Sequence, residues 1–493
     1  MNKDKFSTKE AINQSIVGFN NGRSPNTGMQ VVRFCDVTLR DGQQQLTNEV
    51  TTGQRIEVFD AIVDTGVDRI EIGHLGNKTS DQVLAKELVG HIARKEREDS
   101  RYENVKIQVL FGSQADLITE GAGVLKQAYM ENYGDNWQQI MNDKVVVHVY
   151  DRLDTALTSA SSEPYDQEES AKRVFMASQK ALEAGFTNFS VSGEATTAVI
   201  PEQAIEYYRF ITANLLNSGA QSVNINLANT YGFSAGYLWN TATLDIFNRA
   251  VKYGFNDQVT TSIHTHNDVN SATEFSLSAI TAGFDRVEGT HIGMGERSGN
   301  VASVDVMARL IEKSRDTEIL TNTQESPIAK LLANFVTSQV VMVDQSIVDN
   351  IANWYKSGEK IAEIFGEHAD YRWKRTSLGS PYAHDNGSGP HDQIMAASVT
   401  SPVEHRADSS YEWNLMVNNI MGRPDTEDMA IGEPKAVDRV TVGNYAGGGK
   451  TKAIKEGTLI RAKDGEIEQA RMEFTKQKMA IISKLLGGVT IYS

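Results

Sequence analysis

The sequence predicts an α/β fold: a closed (β/α)8 TIM barrel followed by a mostly helical C-terminal region. Eight β-rich runs alternate with longer segments of helical periodicity over roughly 300 residues, the rhythm and length of such a barrel. The helical segments end in Gly ahead of the next strand. Polar residues gather just past the C-terminal ends of the strands, the face on which barrels keep their chemistry. A doubly wound open sheet is the alternative, but no G-x-G-x-x-G follows the first strand.

The predicted strands are 31–39 (VVRFCDVTL), 69–74 (RIEIGH), 106–112 (KIQVLFG), 145–150 (VVVHVY), 186–193 (FTNFSVSG), 223–229 (VNINLAN), 259–266 (VTTSIHTH) and 286–292 (RVEGTHI). Between them lie segments such as TTGQRIEVFDAIVDTGV and EESAKRVFMASQKALEAGF, apolar on one helical face. The rhythm stops near residue 325. Residues 325–370 read as helices, including SPIAKLLANFVTSQVVMVDQ; residues 371–412 are rich in Ser, Gly, Pro, His and Asp. A Gly-rich, hairpin-like piece spans 427–462 and a helix closes the chain. The expected units are an N-terminal extension (1–29), the barrel (30–325), a linker region (326–425) and a small C-terminal segment (426–493).

With 493 residues, 40% of them hydrophobic and 23% charged, the chain reads as a soluble multi-unit protein. A formal net charge of −16 argues against nucleic acid or an anionic membrane as partner. The single cysteine, Cys35, fits a reducing, cytoplasmic setting. The first 20 residues lack the apolar core of a signal peptide, and no apolar run reaches membrane-spanning length.

His264 and His266 sit in SIHTHNDVNSA, two apart at a strand end. Residues two apart share one face of a strand, so both imidazoles point into the barrel mouth. Such a pair can hold a metal, or it can be a polar strand end. The first strand offers an oxygen ligand, since CDVTLRDGQQQ places Arg40 and Asp41 at its end. Strands 1 and 7 are read as near neighbours across the closure, within reach of each other. Alone, RDG is a turn with a surface ion pair. Glu71 lies between Ile70 and Ile72, and a carboxylate inside a barrel strand must be paired or functional. Glu194, Thr230 and the loop GTHIGMGERSGN, with Glu296, Arg297 and Asn300, bring further polar groups to the same mouth.

DVTLRDGQQ, HTHNDVNSA and GMGERSGNVA resemble, in order, the signatures of metal-dependent barrel enzymes that condense or cleave acyl-CoA. That family includes 2-isopropylmalate, homocitrate and citramalate synthases and HMG-CoA lyase. GERSGN and SGEATTAVIPE are most similar to the isopropylmalate synthase pattern. The resemblance implies Asp41, His264 and His266 as ligands of a divalent ion (Zn, Mn or Mg), with Asn300 as a fourth or supporting ligand. It implies Arg40 at the reacting oxygen, Glu71 ordering Arg40 or a metal-bound water, and Glu194 and Thr230 on the substrate. The implied substrates are acetyl-CoA, or another acyl-CoA, and a 2-oxo acid. His391 in SGPHDQ and Tyr411 in SSYEWN resemble residues that reach the partner subunit's mouth, which implies a homodimer with shared active sites. IAKLLANFVTSQVVMV is the expected two-fold contact.

The sequence departs from that pattern in places. Ala195 and Ala198 stand where the family carries Asp and Arg, and EIGHL brings His74 and Leu75 to the expected acceptor pocket. Fewer than 50 residues follow the AGGG stretch at 446–449, too few for a leucine-sensing domain of the usual size. The expected activity is an isopropylmalate synthase-like Claisen condensation. The alternatives are another acceptor, such as 2-oxoglutarate or pyruvate, an aldol-type lyase on the same metal site, or a non-catalytic binding barrel.

Overall fold

A computed structural model describes residues 8–20, 30–46, 50–76, 79–154, 165–310 (without 233, 235, 256, 269 and 297), 341–343, 350–373 and 376. Eight parallel strands close on themselves. They are β1 (Gln30–Asp36), β2 (Arg69–His74), β3 (Lys106–Gly112), β4 (Val145–Arg152), β5 (Asn188–Glu194), β6 (Ser222–Asn229), β7 (Val259–Thr265) and β8 (Arg286–Gly289). Neighbours pair in chain order, and β1 closes the ring by pairing with both β2 and β8. The predicted barrel is therefore the observed one, with strand ends within two or three residues at most positions. β1 stops earlier than expected because Thr38–Asp41 form a turn, and β8 stops at Gly289, where the loop begins.

Helices follow the strands as the periodicity implies. Thr51 and Gln54 form a reciprocal capping box on Thr52–Val63. Asp166 caps Gln167–Glu183, and Pro201 opens Pro201–Asn217. Ile70, Ile72, Val109, Val147, Val191, Ile225 and Ile263 face these helices and are fully buried.

The other strand parity faces the barrel axis, and here the sequence is unusual. Barrel interiors are ordinarily filled by branched apolar side chains. This one holds Glu71, Gln108, His148, Ser190, Ser192, Asn224, Asn226, Ser262 and Glu288, all buried. Glu288 accepts hydrogen bonds from Ser262 (2.6 Å), Asn226 (2.7 Å) and Asn224 (3.3 Å). At the opposite end from the mouth, Arg286 grips Asp68 with two bonds (2.6 and 2.9 Å) and donates to the Phe34 carbonyl (3.0 Å). That bidentate clamp ties β8 to β1 and to the entry of β2.

Beyond the barrel, the helical reading of 325–370 is corrected at one place. Val341–Val343 form a ninth strand, β9, parallel to Gln30–Val32 of β1. A run of β-branched residues next to a strand edge satisfies backbone groups that a helix would leave to β1 alone. Residues 328–340 of the expected two-fold contact lie outside the described residues. The helix Ile351–Phe365 packs its apolar face on its own barrel. Trp354 is fully buried there, edge-on to Phe34 (5.5 Å between centroids), stacked on His291 (5.1 Å) and bonded through Nε1 to the Thr65 carbonyl (3.0 Å). At the other terminus, Thr8–Asn20 packs on Tyr237–Lys252. No helix among the described residues is long and apolar enough to cross a membrane.

Two predictions follow from this packing. Trp354→Ala should cost about 3–5 kcal/mol of unfolding free energy, the usual loss for emptying a large aromatic site, read from urea denaturation. The second concerns Asp36, whose Oδ2 lies 3.8 Å from His291 Nδ1. Burial pushes the Asp36 carboxyl up to about 7, against the opposing bonds from Thr38, and burial pushes His291 down to about 4. A raised carboxyl lends stability that is complete below its unfolded value and is lost as pH rises through the folded one. His291 is already neutral in that window. Asp36→Asn should therefore raise the melting temperature at pH 8 and lose that advantage near pH 4. An unchanged or lower melting temperature at pH 8 would contradict it.

Candidate metal centre and its pocket

The turn after β1 brings Asp41 beneath the end of β7, although β8 separates the two strands. Their closeness thus comes from the turn and not from strand adjacency. His264 Nδ1 bonds the Glu288 carbonyl (3.2 Å), which commits that nitrogen as the donor and leaves Nε2 facing Asp41 Oδ2 at 3.1 Å. His266 lies beside it, with ring centroids 5.1 Å apart and planes at 87°. Ligand atoms of Asp41, His264 and His266 all fall within 4.8 Å of one another.

Asn300 arrives from the loop after β8, where it forms a backbone bridge with His266. The loop can fold this tightly because Gly295 and Gly299 have φ of +150° and +92°. A Cβ on Gly295 would strike the Asn300 side chain, and one on Gly299 would strike the Gly293 carbonyl. Glu296 is buried in the same loop, and Arg297 lies outside the described residues.

These residues fit a divalent ion. Asp41 Oδ1 and Asn300 Oδ1 are buried without a hydrogen-bond donor. Two ligands at about 2.1 Å from an octahedral cation stand about 3 Å apart, which is the observed spacing of the Asp41 and His264 donor atoms. One carboxylate, two imidazoles and an amide oxygen suit Zn, Mn or Mg and do not select among them. Burial raises the Asp41 carboxyl, but the Arg40 charge, the His264 hydrogen bond and the histidine charges outweigh it and hold Asp41 well below the carboxylate range.

Arg40 links this group to a second one. Its Nη1 lies 3.1 Å from Asp41 Oδ2, and its Nε donates to Glu71 Oε1. Glu71 is fully buried and also accepts from His148 Nδ1 (2.7 Å) and Gln108 Nε2 (2.6 Å). Burial alone would raise its carboxyl; Arg40, then His148 and Gln108, bring it well below the ordinary range. Glu71 thus touches Arg40 directly from inside the barrel. Glu71, His148 and Glu288 also form a tight cluster. Gln108 Nε2, however, donates to both carboxylates (2.6 and 3.4 Å), so an amide stands where a cation would.

Arg40, His74, Glu194, Thr230, His264 and His266 line one pocket. Thr230 Oγ1 accepts from the Ala195 amide (2.7 Å), and Glu194 Oε2 lies 3.9 Å from Arg152. Ala195 is buried in the left-handed region at φ +63°. His74 is fixed by its backbone amide bonding Asp81 Oδ2 (2.8 Å), while Arg55 holds the other oxygen (2.8 Å). Leu75 does not line the mouth as expected. It is fully buried in the core, because a register shift between Glu71 and His74 breaks the alternation of β2, turning His74 inward and Leu75 out. Gln44 and Ala228 also line it, as do Leu110, His148, Tyr150, Ser192 and Asn226, five residues that the motif reading had not singled out. Their signal was available, since each sits at the inward parity of a predicted strand. His391 and Tyr411 lie outside the described residues.

If Asp41, His264 and His266 hold the ion, His264→Ala and Asp41→Ala should each lower the bound divalent metal measured by elemental analysis. His148→Gln should leave it unchanged. Full occupancy in both of the first two variants would dismiss the ligand set.

The chain matches the HMGL-like family model over residues 31–332. The 2-isopropylmalate synthase of Rhodospirillum rubrum is 26% identical over 293 residues, covering 58% of this chain and 48% of that protein. That of Brevibacillus brevis is 24% identical over 333 residues, covering 67% and 58%. The chain spans about half the length of the curated relatives it matches. Among solved structures, the hydroxymethylglutaryl-CoA lyase of Pseudomonas aeruginosa is 15% identical with a TM-score of 0.46, covering 72% of this chain and 97% of that one. With the family model covering more than half of its residues, the chain belongs to the HMGL-like family.

Proposed function

We propose that this protein is a metal-dependent acyltransferase that joins acetyl-CoA to a 2-oxo acid by Claisen condensation and releases CoA by hydrolysis. The observation that carries this reading is the convergence of His264, His266 and Arg40 on one pocket, with Asp41 clustered against the two histidines, in a family member whose relatives are named 2-isopropylmalate synthase. A 2-oxo acid presents a keto and a carboxylate oxygen side by side. A divalent cation held by the Asp41 group would supply Lewis-acid charge to that end of the substrate. Arg40, fixed by Glu71 and Asp41, presents its positive charge to the same space and stabilises an oxygen that becomes negative as the new C–C bond forms. Thr230 and Glu194 offer hydrogen-bonding partners to the acceptor. His74, held by Asp81, shapes its far end. His391 and Tyr411 are the groups that the resemblance adds to this mouth from a second subunit.

The acceptor is a 2-oxo acid with a small branched side chain in the leading reading, and 2-oxoglutarate or pyruvate in the alternative. A thiol-release assay with acetyl-CoA and a panel of 2-oxo acids tests all three. One acceptor should raise thiol release well above the acetyl-CoA blank in the presence of Zn, Mn or Mg. No acceptor doing so would sink the condensation. Arg40→Lys should lose roughly 100-fold or more in kcat while retaining metal, because Lys keeps the charge but not the planar fork that meets Glu71 and Asp41 together. Near-normal turnover would make Arg40 structural.

A further inference from the structure

One array in the pocket wall has no part in the metal group. Glu71 Oε2 accepts from His148 Nδ1 at 2.7 Å. With Nδ1–H committed there, His148 Nε2 is the acceptor nitrogen, and the Ser192 hydroxyl donates to it. Ser192 and His148 are both buried and both line the pocket. Carboxylate, imidazole and hydroxyl in that order is the arrangement that turns a serine into a nucleophile for acyl transfer. β2, β4 and β5 supply the three groups, so rigid strands hold them rather than loops. The groups facing His148 are Glu71 from β2, Gln108 from β3, Ser192 from β5 and Glu288 from β8, with Arg40 beyond Glu71.

We propose that Ser192, activated by His148 and Glu71, is the nucleophile that cleaves the CoA thioester of the condensed product. This rests on the condensation proposed above and assigns its hydrolytic half. Ser192 Oγ attacks the thioester carbonyl carbon as its proton passes to His148 Nε2. The C–S bond breaks, and the departing sulfur takes that proton and leaves as the free thiol. Water then attacks the Ser192 ester, giving a proton to Nε2. The C–Oγ bond breaks, Oγ regains the proton, and the free acid departs. Thioester and water become acid and thiol, with no other reactant. Arg40 lines the same pocket, and its positive charge favours the oxyanion of both steps.

The test separates condensation from cleavage by mass spectrometry of the CoA species formed by the full-length, metal-supplemented protein. In Ser192→Ala and His148→Gln, the condensed acyl-CoA thioester should accumulate while thiol release falls about 100-fold or more. Ser192→Cys should recover part of the thiol release. Wild-type thiol release by Ser192→Ala would overturn the proposal, as would loss of condensation and cleavage together without any accumulated thioester. If the wild-type protein condenses no acceptor, the proposed function fails, and the triad is tested alone with a fluorophosphonate probe. Labelling at Ser192 that His148→Gln removes would uphold an activated serine; no labelling would overturn it.

Discussion

Two carboxylates buried inside the barrel set the terms for the rest of the structure. Glu71 and Glu288 lie within a ring of strands where an unpaired charge would cost several kcal/mol after relaxation. Their partners come from nearly every neighbouring strand: Gln108 of β3, His148 of β4, Asn224 and Asn226 of β6 and Ser262 of β7. A hydrogen-bonded interior of this kind fixes side-chain positions more sharply than an apolar one, because each displaced donor leaves an unmet acceptor. Glu71 also carries that order outward, since its second oxygen holds Arg40, and Arg40 meets Asp41. The packing of the axis and the geometry of the mouth are one network.

The two ends of the barrel divide the work. At the mouth, strand ends and turns expose donors to a pocket. At the other end, Arg286, Asp68 and Arg33 tie three strands together. Burial first lowers and Asp68 then more than restores the proton affinity of Arg286, while burial opposes and Arg286 outweighs it in drawing Asp68 down to about 2. A clamp of that strength where no substrate enters leaves the mouth free to hold groups that are poor for stability, such as a left-handed Ala195 and buried oxygens without donors.

Much of this was legible in the sequence. Alternating apolar runs gave the eight strands, because a sheet covered by helices must bury its outward parity. Asp41, His264 and His266 stood out because polar side chains at strand ends interrupt that burial. His148, Ser192, Gln108 and Glu288 were hidden for a local reason: each sits singly within an apolar run, and only the closed ring shows that they face one another. Leu75 was misread because strict alternation from the inward Glu71 points it to the mouth, and the register shift before His74 that reverses this shows only in the sheet. β9 was missed because VVMV suits a strand as well as a buried helix until its neighbour is known.

The clamp has a consequence for how the chain is made. Arg286 donates to the Phe34 carbonyl across 252 positions. Ribosomes add about 5–20 residues per second, so β1 waits some 10–50 s for β8 to appear. During that time one hydrogen-bonding edge of β1 and the carboxylate of Glu71 have no completed ring around them. Glu288 itself arrives among the last. The nascent barrel thus acquires its polar axis only at closure, and chaperone capture is most useful in the interval between synthesis of β2 and β8.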